Sequence, residues 1–567
     1  MERITPLFFF HFIDLFLFFL RQITILKKIV LDTKYQEMSA HKLVIKDALW
    51  QLFGRIISAL FGFVITKIIS SYLGPLRYGD YGTIFRFFAW WTALVDFWIY
   101  VLAVKRLGTI KAESEENQDQ KSDFSANSPL GVEYGKFVGT RIFLIGVIYT
   151  LAIIVAYLIP AYTSNPFIIR GLPFAMCYSA SNMYAGIQQL PLQIFRKMKR
   201  LTRSLIIARL SQLVILLPVV YYFFSEVDFT TNQAPTVAMV AAFALVIFSV
   251  VASSLGQNVE MHLRTKDLLP LKIRFDFSFI KNLLKNNRKY GFSYFFSSFH
   301  TLLVLMFLGW FFPTSEGFKY AGIWALALSL IEILLIIPSS LGNSLLHKIP
   351  KYSIENKKKS LGNLMLLVGF LGLWIAMNFW LFASDIIPIV SSKEFLGVWS
   401  DISHRWSDQV LPFLGIVLFM SFIKQVYNYT FVALDQQNKL FSINGIGVLI
   451  WCIIWIFLIP RYWLFGGVIT QLFIEAFFTG GAILIGKIKN LTPKISLPLL
   501  IRLFFWLLIS GIFWILLQKM LSPYLNFSGI FAKLHWDFLL IAGIVNIVLL
   551  ALIYHPIKKV AKGLTQE

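Results

Sequence analysis

Residues 52–85 read LFGRIISALFGFVITKIISSYLGPLRYGDYGTIF, which is two apolar stretches separated by the turn YLGPLRYGDYG. A related arrangement returns in the second half of the chain. Tyr81 opens one apolar stretch, and 239 positions later Tyr320 lies at the start of FKYAGIWALALSLIEIL. The basic turn at Arg200 matches Lys439 with the same offset. The sequence therefore predicts that the second half of the chain repeats the first.

The apolar stretches are long enough to cross a membrane. The mean hydropathy is +0.70 and 57% of the residues are apolar, so most of the chain must have lipid as its solvent. About 20 residues of helix cross a hydrocarbon core of about 30 Å, and the stretches are too long for barrel strands. The predicted spans, about fourteen in number, are 48–71, 82–104, 138–160, 167–192, 203–224, 236–256, 291–312, 319–342, 361–384, 409–432, 440–460, 463–486, 498–521 and 535–555.

The predicted fold class is therefore an all-α integral membrane protein with two duplicated six-helix lobes and a C-terminal helix pair. Two repeated lobes around a central cavity are typical of secondary transporters that alternate access. The predicted divisions are an N-terminal extension, 1–37; an N-lobe, 38–256; a basic cytoplasmic linker, 257–290; a C-lobe, 291–486; and the last helix pair with its tail, 487–567.

The net charge of +23 is unevenly distributed. Basic residues gather on alternate loops, whereas the loops between them hold few, which is the positive-inside pattern. This predicts a multi-pass protein of the cell membrane with both termini in the cytoplasm, in contact with the lipid bilayer. Nucleic-acid binding is not predicted, because no basic module interleaved with aromatic residues is present.

Other classes of function find little support in the sequence. The two cysteines, Cys177 and Cys452, are too few for a disulfide framework or a metal cluster. No metal-ligand spacing and no phosphate-binding GxxxxGK loop occurs, so no metal, cofactor or catalytic residue is predicted. Energy for transport would come from a gradient or from downstream consumption of the cargo.

Two segments differ from the apolar bundle. Residues 111–136 are polar and of mixed charge, and they predict a flexible cytoplasmic loop. The stretch PLFFFHFIDLFLFFL within residues 1–37 is apolar but short, and is compatible with an interfacial helix or a signal-like region. Met38 directly precedes the first bundle segment, so a start at that position remains a third alternative.

The run from 52 to 85 resembles the opening of the polysaccharide-biosynthesis flippases. These are the O-antigen-type members of the multidrug/oligosaccharidyl-lipid/polysaccharide exporter superfamily. The matching residues are Lys67, Leu73-Gly74-Pro75, Tyr78-Gly79 and Tyr81-Gly82. Asp96 keeps the family's acid near the end of the second helix, but Phe97-Trp98-Ile99 replace Leu-Gly-Leu. The family's Asp-Arg pair on the seventh helix is replaced by Val304-Leu305, so no ion pair is predicted there.

The resemblance implies a cargo with a sugar chain on a polyprenyl phosphate or pyrophosphate. Moving such an anionic headgroup across the hydrocarbon needs cations that replace its lost hydration. The predicted substrate-binding residues are Arg55, Lys67 and Arg86 on the first two helices, together with His300, because histidine is the residue type whose ordinary pKa lies near neutral pH. The alternative for each of the three cations is that its side chain snorkels to the lipid headgroups.

Asp96 and Glu332 lie near mid-depth on equivalent helices. They are predicted to bind a coupling ion or to orient a cation of the cavity, with a buried structural pair as the alternative. Arg141 and Arg209 are predicted to snorkel to the inner surface. A structural salt bridge is predicted between Lys424 and Glu475.

The predicted function is a flippase that carries a lipid-linked oligosaccharide outward for surface glycan assembly. Glycosyltransferases or a polymerase of polysaccharide assembly are the expected protein partners. One alternative is a cation-coupled multidrug exporter of the same superfamily, although twelve helices and an acidic cavity would be usual for it. A membrane enzyme of polysaccharide assembly is the other alternative, but residues 385–408 form the largest outer loop and carry no paired carboxylates.

Overall fold

In the computed structural model, every regular element of the described residues is helical, as predicted. The description covers residues 40–512 apart from 98, 117–124, 224–226, 228, 230–234, 313, 340–352, 398–405, 435, 496 and parts of 498–510. The helices are α1 Ala40–Asp96, α2 Ile99–Glu116, α3 Pro129–Leu158, α4 Pro160–Thr163, α5 Pro166–Ile194, α6 Met198–Phe223, α7 Val237–Thr265, α8 Phe277–Phe311, α9 Thr314–Leu334, α10 Ile354–Val390, α11 Ser407–Ala433 and α12 Gln437–Ile488.

Three of these elements contain a break: α10 is interrupted at Phe382 (φ −130°, ψ 21°), and α1 and α12 are each a pair of spans joined at a break. A straight helix of the length of α1, 57 residues, would extend for about 86 Å, far more than a hydrocarbon core of about 30 Å. Gly74 interrupts α1 with φ 65° and ψ 175°, a conformation that glycine adopts without steric cost, and Pro75 follows. In α12, Trp463 has φ 56° and ψ −134°, three residues after Pro460. The breaks in α1 and α12 each coincide with a predicted boundary between two spans, whereas that in α10 lies within the predicted span 361–384.

Eight stretches of the described residues are long and apolar enough to cross a membrane, and two of these, 57–114 and 440–488, have the length of two crossings. The predicted number of about fourteen spans is therefore not fixed by this count. Within the predicted span 498–521, the residues that the structure describes, up to 512, are helical. The predicted span 535–555 and the extension 1–37 lie outside the described residues.

The helices pack in two sets that meet at α1. Helices α5, α6 and α7 pack against one another and against α1, and α3 contacts α1, α2 and α5. In the second set, α10 and α12 pack on α11, while α8 contacts α9 and α12. The main contacts between the sets run from α1 to α8 and α9. This arrangement places the residues of α1 at the contact between the two sets.

The polar loop predicted over 111–136 is shorter in the structure, and this prediction was wrong at both ends. Residues 111–116 continue α2, and α3 begins at Pro129. Ser128 is the N-cap of α3, because its hydroxyl accepts a hydrogen bond from the Gly131 amide, and proline suits the first helical position. Composition alone did not reveal this helix start.

The segment between α7 and α8 docks on α3. A Cβ on Gly135 would lie 2.2 Å from the Lys272 carbonyl oxygen, and one on Gly139 would lie 2.1 Å from that of Arg274. Lys136 pairs with Asp276 at 2.9 Å, and this hydrogen bond holds the pKa of the Asp276 carboxyl below its ordinary value. The predicted linker is therefore attached to the first set of helices.

Candidate functional site

An ion pair joins the two sets of helices. Arg86 on α1 and Glu332 on α9 form a two-pronged pair, with Nη1 donating to Oε1 and Nη2 donating to Oε2 at 2.5 Å. The Arg86 side chain is 14% exposed and that of Glu332 is 36% exposed. About 18 Å of helix separates Arg86 from the break at Gly74, so Arg86 lies about halfway across a core of about 30 Å.

Hydroxyl groups surround this pair. The rings of Tyr78 and Tyr81 stack with their centroids 5.7 Å apart, and Tyr78 hydrogen-bonds the Ser329 side chain. Both tyrosines lie within electrostatic range of Arg86. We refer to Arg86, Glu332, Tyr78, Tyr81 and Ser329 as the central cluster. Its guanidinium and hydroxyl donors are of the types that bind phosphate oxygens.

Two glycines allow α1 and α9 to cross at very short range. A Cβ on Gly79 would lie 1.6 Å from the Phe318 carbonyl oxygen, and one on Gly322 would lie 1.9 Å from that of Pro75. No other residue has a side chain small enough for this approach. The crossing lies between Arg86 and the break at Gly74, on the side predicted to face outward.

Lys67 of α1 lies against the C-terminal end of α10, on the same predicted outer side. Its ammonium group donates to the carbonyl oxygens of Pro388 and Ser391. These groups belong to the C-terminal end of α10, where the helix dipole favours a cation. Nearby, the hydroxyls of Ser391 and Ser70 are 2.8 Å apart. Lys67 therefore contacts the second set of helices rather than the central cluster, and we call this group the outer contact.

Arg55 lies farther along α1, toward the predicted inner side. Its Nη1 is 3.5 Å from the Ser339 hydroxyl, a long contact. Arg55 also lies within electrostatic range of Tyr100 on α2 and Tyr429 on α11. Residues of both sets of helices thus surround this cation, which is a position suited to a passing anionic group.

Asp96 pairs within the first set of helices, and the prediction that Arg141 snorkels was wrong. Arg141 is 1% exposed and donates to Asp96 Oδ1 at 2.7 Å and to the Val95 carbonyl at 3.2 Å. Helix α1 ends at Asp96, and the next residue, Phe97, has φ 38°. This break frees the Val95 carbonyl, and Arg141 satisfies it. Asp96 and Glu332 thus have different kinds of partner, one inside its set and the other across the contact.

The remaining candidate residues differ in their partners. The pair Lys424–Glu475 is present at 2.6 Å, as predicted, and the Ser421 hydroxyl also donates to Glu475. Arg209, which was predicted to snorkel, instead donates from Nε to the Ser58 hydroxyl of α1 at 3.2 Å. His300 belongs to α8, but its side chain lies outside the described part. Sequence reasoning missed Arg209 and Arg141 because depth along a helix does not give the direction of a side chain.

No protein-family model matches the sequence. No curated protein matches it either.

Solved structures do match the fold. The lipid II flippase MurJ in an inward closed conformation superimposes with a TM-score of 0.56 at 14% identity, over 90% of this chain and 99% of that one. A multidrug resistance MATE family transporter of the MOP superfamily matches in its inward-facing conformation with a TM-score of 0.51, at 13% identity over 78% of this chain and 98% of that one. An outward-facing MATE transporter of the same superfamily gives 0.50, at 14% identity over 79% and 97%.

These likenesses are at the level of the fold, since every identity is far below the range that implies a shared substrate. They agree with the predicted resemblance and with a duplicated helical membrane architecture. The chain is therefore a multi-pass membrane protein with the fold of the MOP-superfamily transporters.

Proposed function

We propose that the protein is an exporter that moves a polyprenyl phosphate- or pyrophosphate-linked oligosaccharide from the cytoplasmic to the outer face of the cell membrane. The observation that carries the proposal is Arg86, a deeply placed guanidinium whose two-pronged geometry fits a carboxylate or a phosphate equally well. In this conformation Glu332 fills that position.

The exchange of partners gives a mechanism. Arg86 cannot hold Glu332 and a phosphate group with the same two N–H donors, so an arriving headgroup displaces the carboxylate. Displacement removes the ion pair that joins α1 to α9 and weakens the contact between the two sets of helices. Binding of the anionic headgroup therefore favours separation on the outer side, and a ligand shifts a conformational equilibrium only through such a difference in affinity.

Lys67 and Arg55 extend the path on both sides of the central cluster. Lys67 becomes available when the outer contact opens, because its present partners are carbonyl oxygens of α10. Arg55 lies nearer the predicted cytoplasmic entrance. The proposal keeps the two predicted lobes and His300 as a substrate-binding residue. Asp96 holds Arg141, and Glu332 holds Arg86.

The likenesses among solved structures support this choice over a multidrug exporter. The superposition on the lipid II flippase covers 90% of this chain, whereas that on the inward-facing MATE transporter covers 78%. The larger share of this chain that is matched supports a flippase over a twelve-helix exporter. Glycosyltransferases or a polymerase that supply or consume the glycan remain the proposed protein partners.

The test is rescue of surface glycan in a bacterial strain that lacks a matching flippase. Arg86→Glu and Lys67→Glu should abolish rescue while the protein still reaches the membrane, because reversed charge repels the phosphate. Arg86→Lys should retain part of it, since charge remains but the planar fork is lost. Lys197→Glu, at an exposed loop position, is the control and should rescue fully. Full rescue by the Arg86 and Lys67 reversals would instead support the drug-exporter alternative.

A further inference from the structure

Arg209 lies on α6, and about 16 Å of helix separates it from the start of that helix at Met198. Its guanidinium is directed toward α1, where Nε donates to the Ser58 hydroxyl at 3.2 Å. Nη1 donates to Gln212 Oε1 at 3.4 Å, one turn along its own helix. The side chain is partly buried. Arg209 is therefore held in the interior of the first set of helices rather than extended to the surface.

The described partners of Arg209 are neutral. Its hydrogen bonds go to a hydroxyl and an amide, whereas Arg86 holds Glu332 and Arg141 holds Asp96. Both distances exceed the 2.7–2.9 Å or so that is typical when a guanidinium binds an anion. A cation at this depth is costly without an anionic partner, and such residues usually mark a substrate or ion path. The Arg209 guanidinium can therefore exchange these neutral partners for an anion.

Arg209 also lies close to the central cluster. Both Arg209 and Arg86 are within electrostatic range of the Tyr81 hydroxyl, although they come from different helices. Two guanidinium groups that both interact with one hydroxyl can contact neighbouring phosphate groups, or two oxygen atoms of one phosphate.

We propose that Arg209 is a phosphate-binding residue that, with Arg86 and Tyr81, forms a two-arginine site for a phosphate or pyrophosphate headgroup. The proposal rests on the proposed function and adds an order of events to it. Arg209 binds the anion first, because it has only weak neutral contacts to give up. Arg86 follows when the anion displaces Glu332. The site selects for the charged headgroup and not for the sugar.

The test measures binding to the purified full-length protein in detergent. The probes are geranylgeranyl pyrophosphate and inorganic pyrophosphate, with uncharged geranylgeraniol as the comparison, and affinity is followed by calorimetry. Arg209→Gln should weaken pyrophosphate binding about 10- to 100-fold, as expected for losing a hydrogen bond to a charged group. It should leave geranylgeraniol binding unchanged. Arg209→Lys should recover part of the loss. The control is Arg203→Gln on the same helix, whose side chain is 60% exposed and pairs with Glu260.

Thermal unfolding without probe separates a structural role from a binding role. If Arg209→Gln binds pyrophosphate with wild-type affinity, or if its only defect is a lower melting temperature, the inference is wrong. If Arg86→Glu loses binding while Arg209→Gln keeps it, the proposed function stands and only the role of Arg209 fails. If the wild-type protein binds neither pyrophosphate probe and does not rescue surface glycan, both proposals fail.

Discussion

The pair Arg86–Glu332 should control how firmly the outer side is closed. Exposed ion pairs contribute about 0.2–1 kcal/mol, whereas breaking a buried pair costs about 3–5 kcal/mol. Here one side chain is 14% exposed and the other 36%, so the pair lies between these limits, at about 1–3 kcal/mol. Glu332→Gln keeps the shape and removes the charge. It should therefore shift the closed-to-open ratio by about 5- to 150-fold.

Disulfide formation at the outer contact measures this shift. Ser70 and Ser391 are buried with their hydroxyl oxygens 2.8 Å apart, so Ser70→Cys with Ser391→Cys should cross-link readily in the closed form. The native cysteines are first replaced by serine, and the linked peptide is quantified by mass spectrometry. Glu332→Gln should lower the cross-linking rate. Glu355→Gln is the matched control, because Glu355 is 72% exposed and pairs with Lys494 elsewhere.

A charge exchange separates closure from cargo binding. Arg86→Glu combined with Glu332→Arg should restore cross-linking, because the pair is rebuilt with its ends reversed. It should not restore surface glycan, because the guanidinium has moved from α1 to α9. Cross-linking at the wild-type rate in Glu332→Gln would refute the reasoning, and glycan rescue by the exchanged pair would show that the position of the cation is unimportant.

Three further predictions concern topology, packing and burial. In intact cells, an impermeant thiol reagent should label Lys393→Cys and spare Ala112→Cys, both exposed positions; labelling of the second alone would invert the proposed orientation. Gly79→Ala should lower the melting temperature in detergent, since overpacking costs about 1–3 kcal/mol, whereas Gly62→Ala on the same helix has nothing within 4 Å to meet and should be harmless. Asp96→Asn should destabilise the protein by about 3–5 kcal/mol, because Arg141 is left buried without its anion; unchanged thermal unfolding would contradict this role of the pair.

The sequence was informative about the properties that depend only on position along the chain. Hydropathy fixes length and depth, so the helical class and the breaks near Gly74 and Pro460 could be predicted. The pair Lys424–Glu475 was found by the same reasoning, since both residues are charged and lie at similar depth. The start of α3 was missed because a single capping serine and a proline counted for less than the polar composition around them.

The partners of the arginines could not be predicted, because they depend on rotation about the helix axis and on which helices touch. Arg141 is 45 residues from Asp96 in the chain, and their pairing requires the break that places Phe97 at φ 38°. Arg86 and Glu332 are 246 residues apart and meet only because Gly79 and Gly322 let α1 and α9 cross closely. No spacing rule within a single helix predicts either of these two ion pairs.

The partners of the charged residues favour an anionic cargo over a cationic drug. An exporter of cationic drugs needs an intramembrane carboxylate that is accessible and not neutralised by the protein. In this chain Glu332 is held by Arg86 and Asp96 by Arg141, so a cation approaching either acid meets a guanidinium first. Arg209 offers the reverse arrangement, a guanidinium held by neutral groups. Because a charge in low dielectric attracts its opposite most strongly, these described partners support the proposed anionic cargo over a cationic drug.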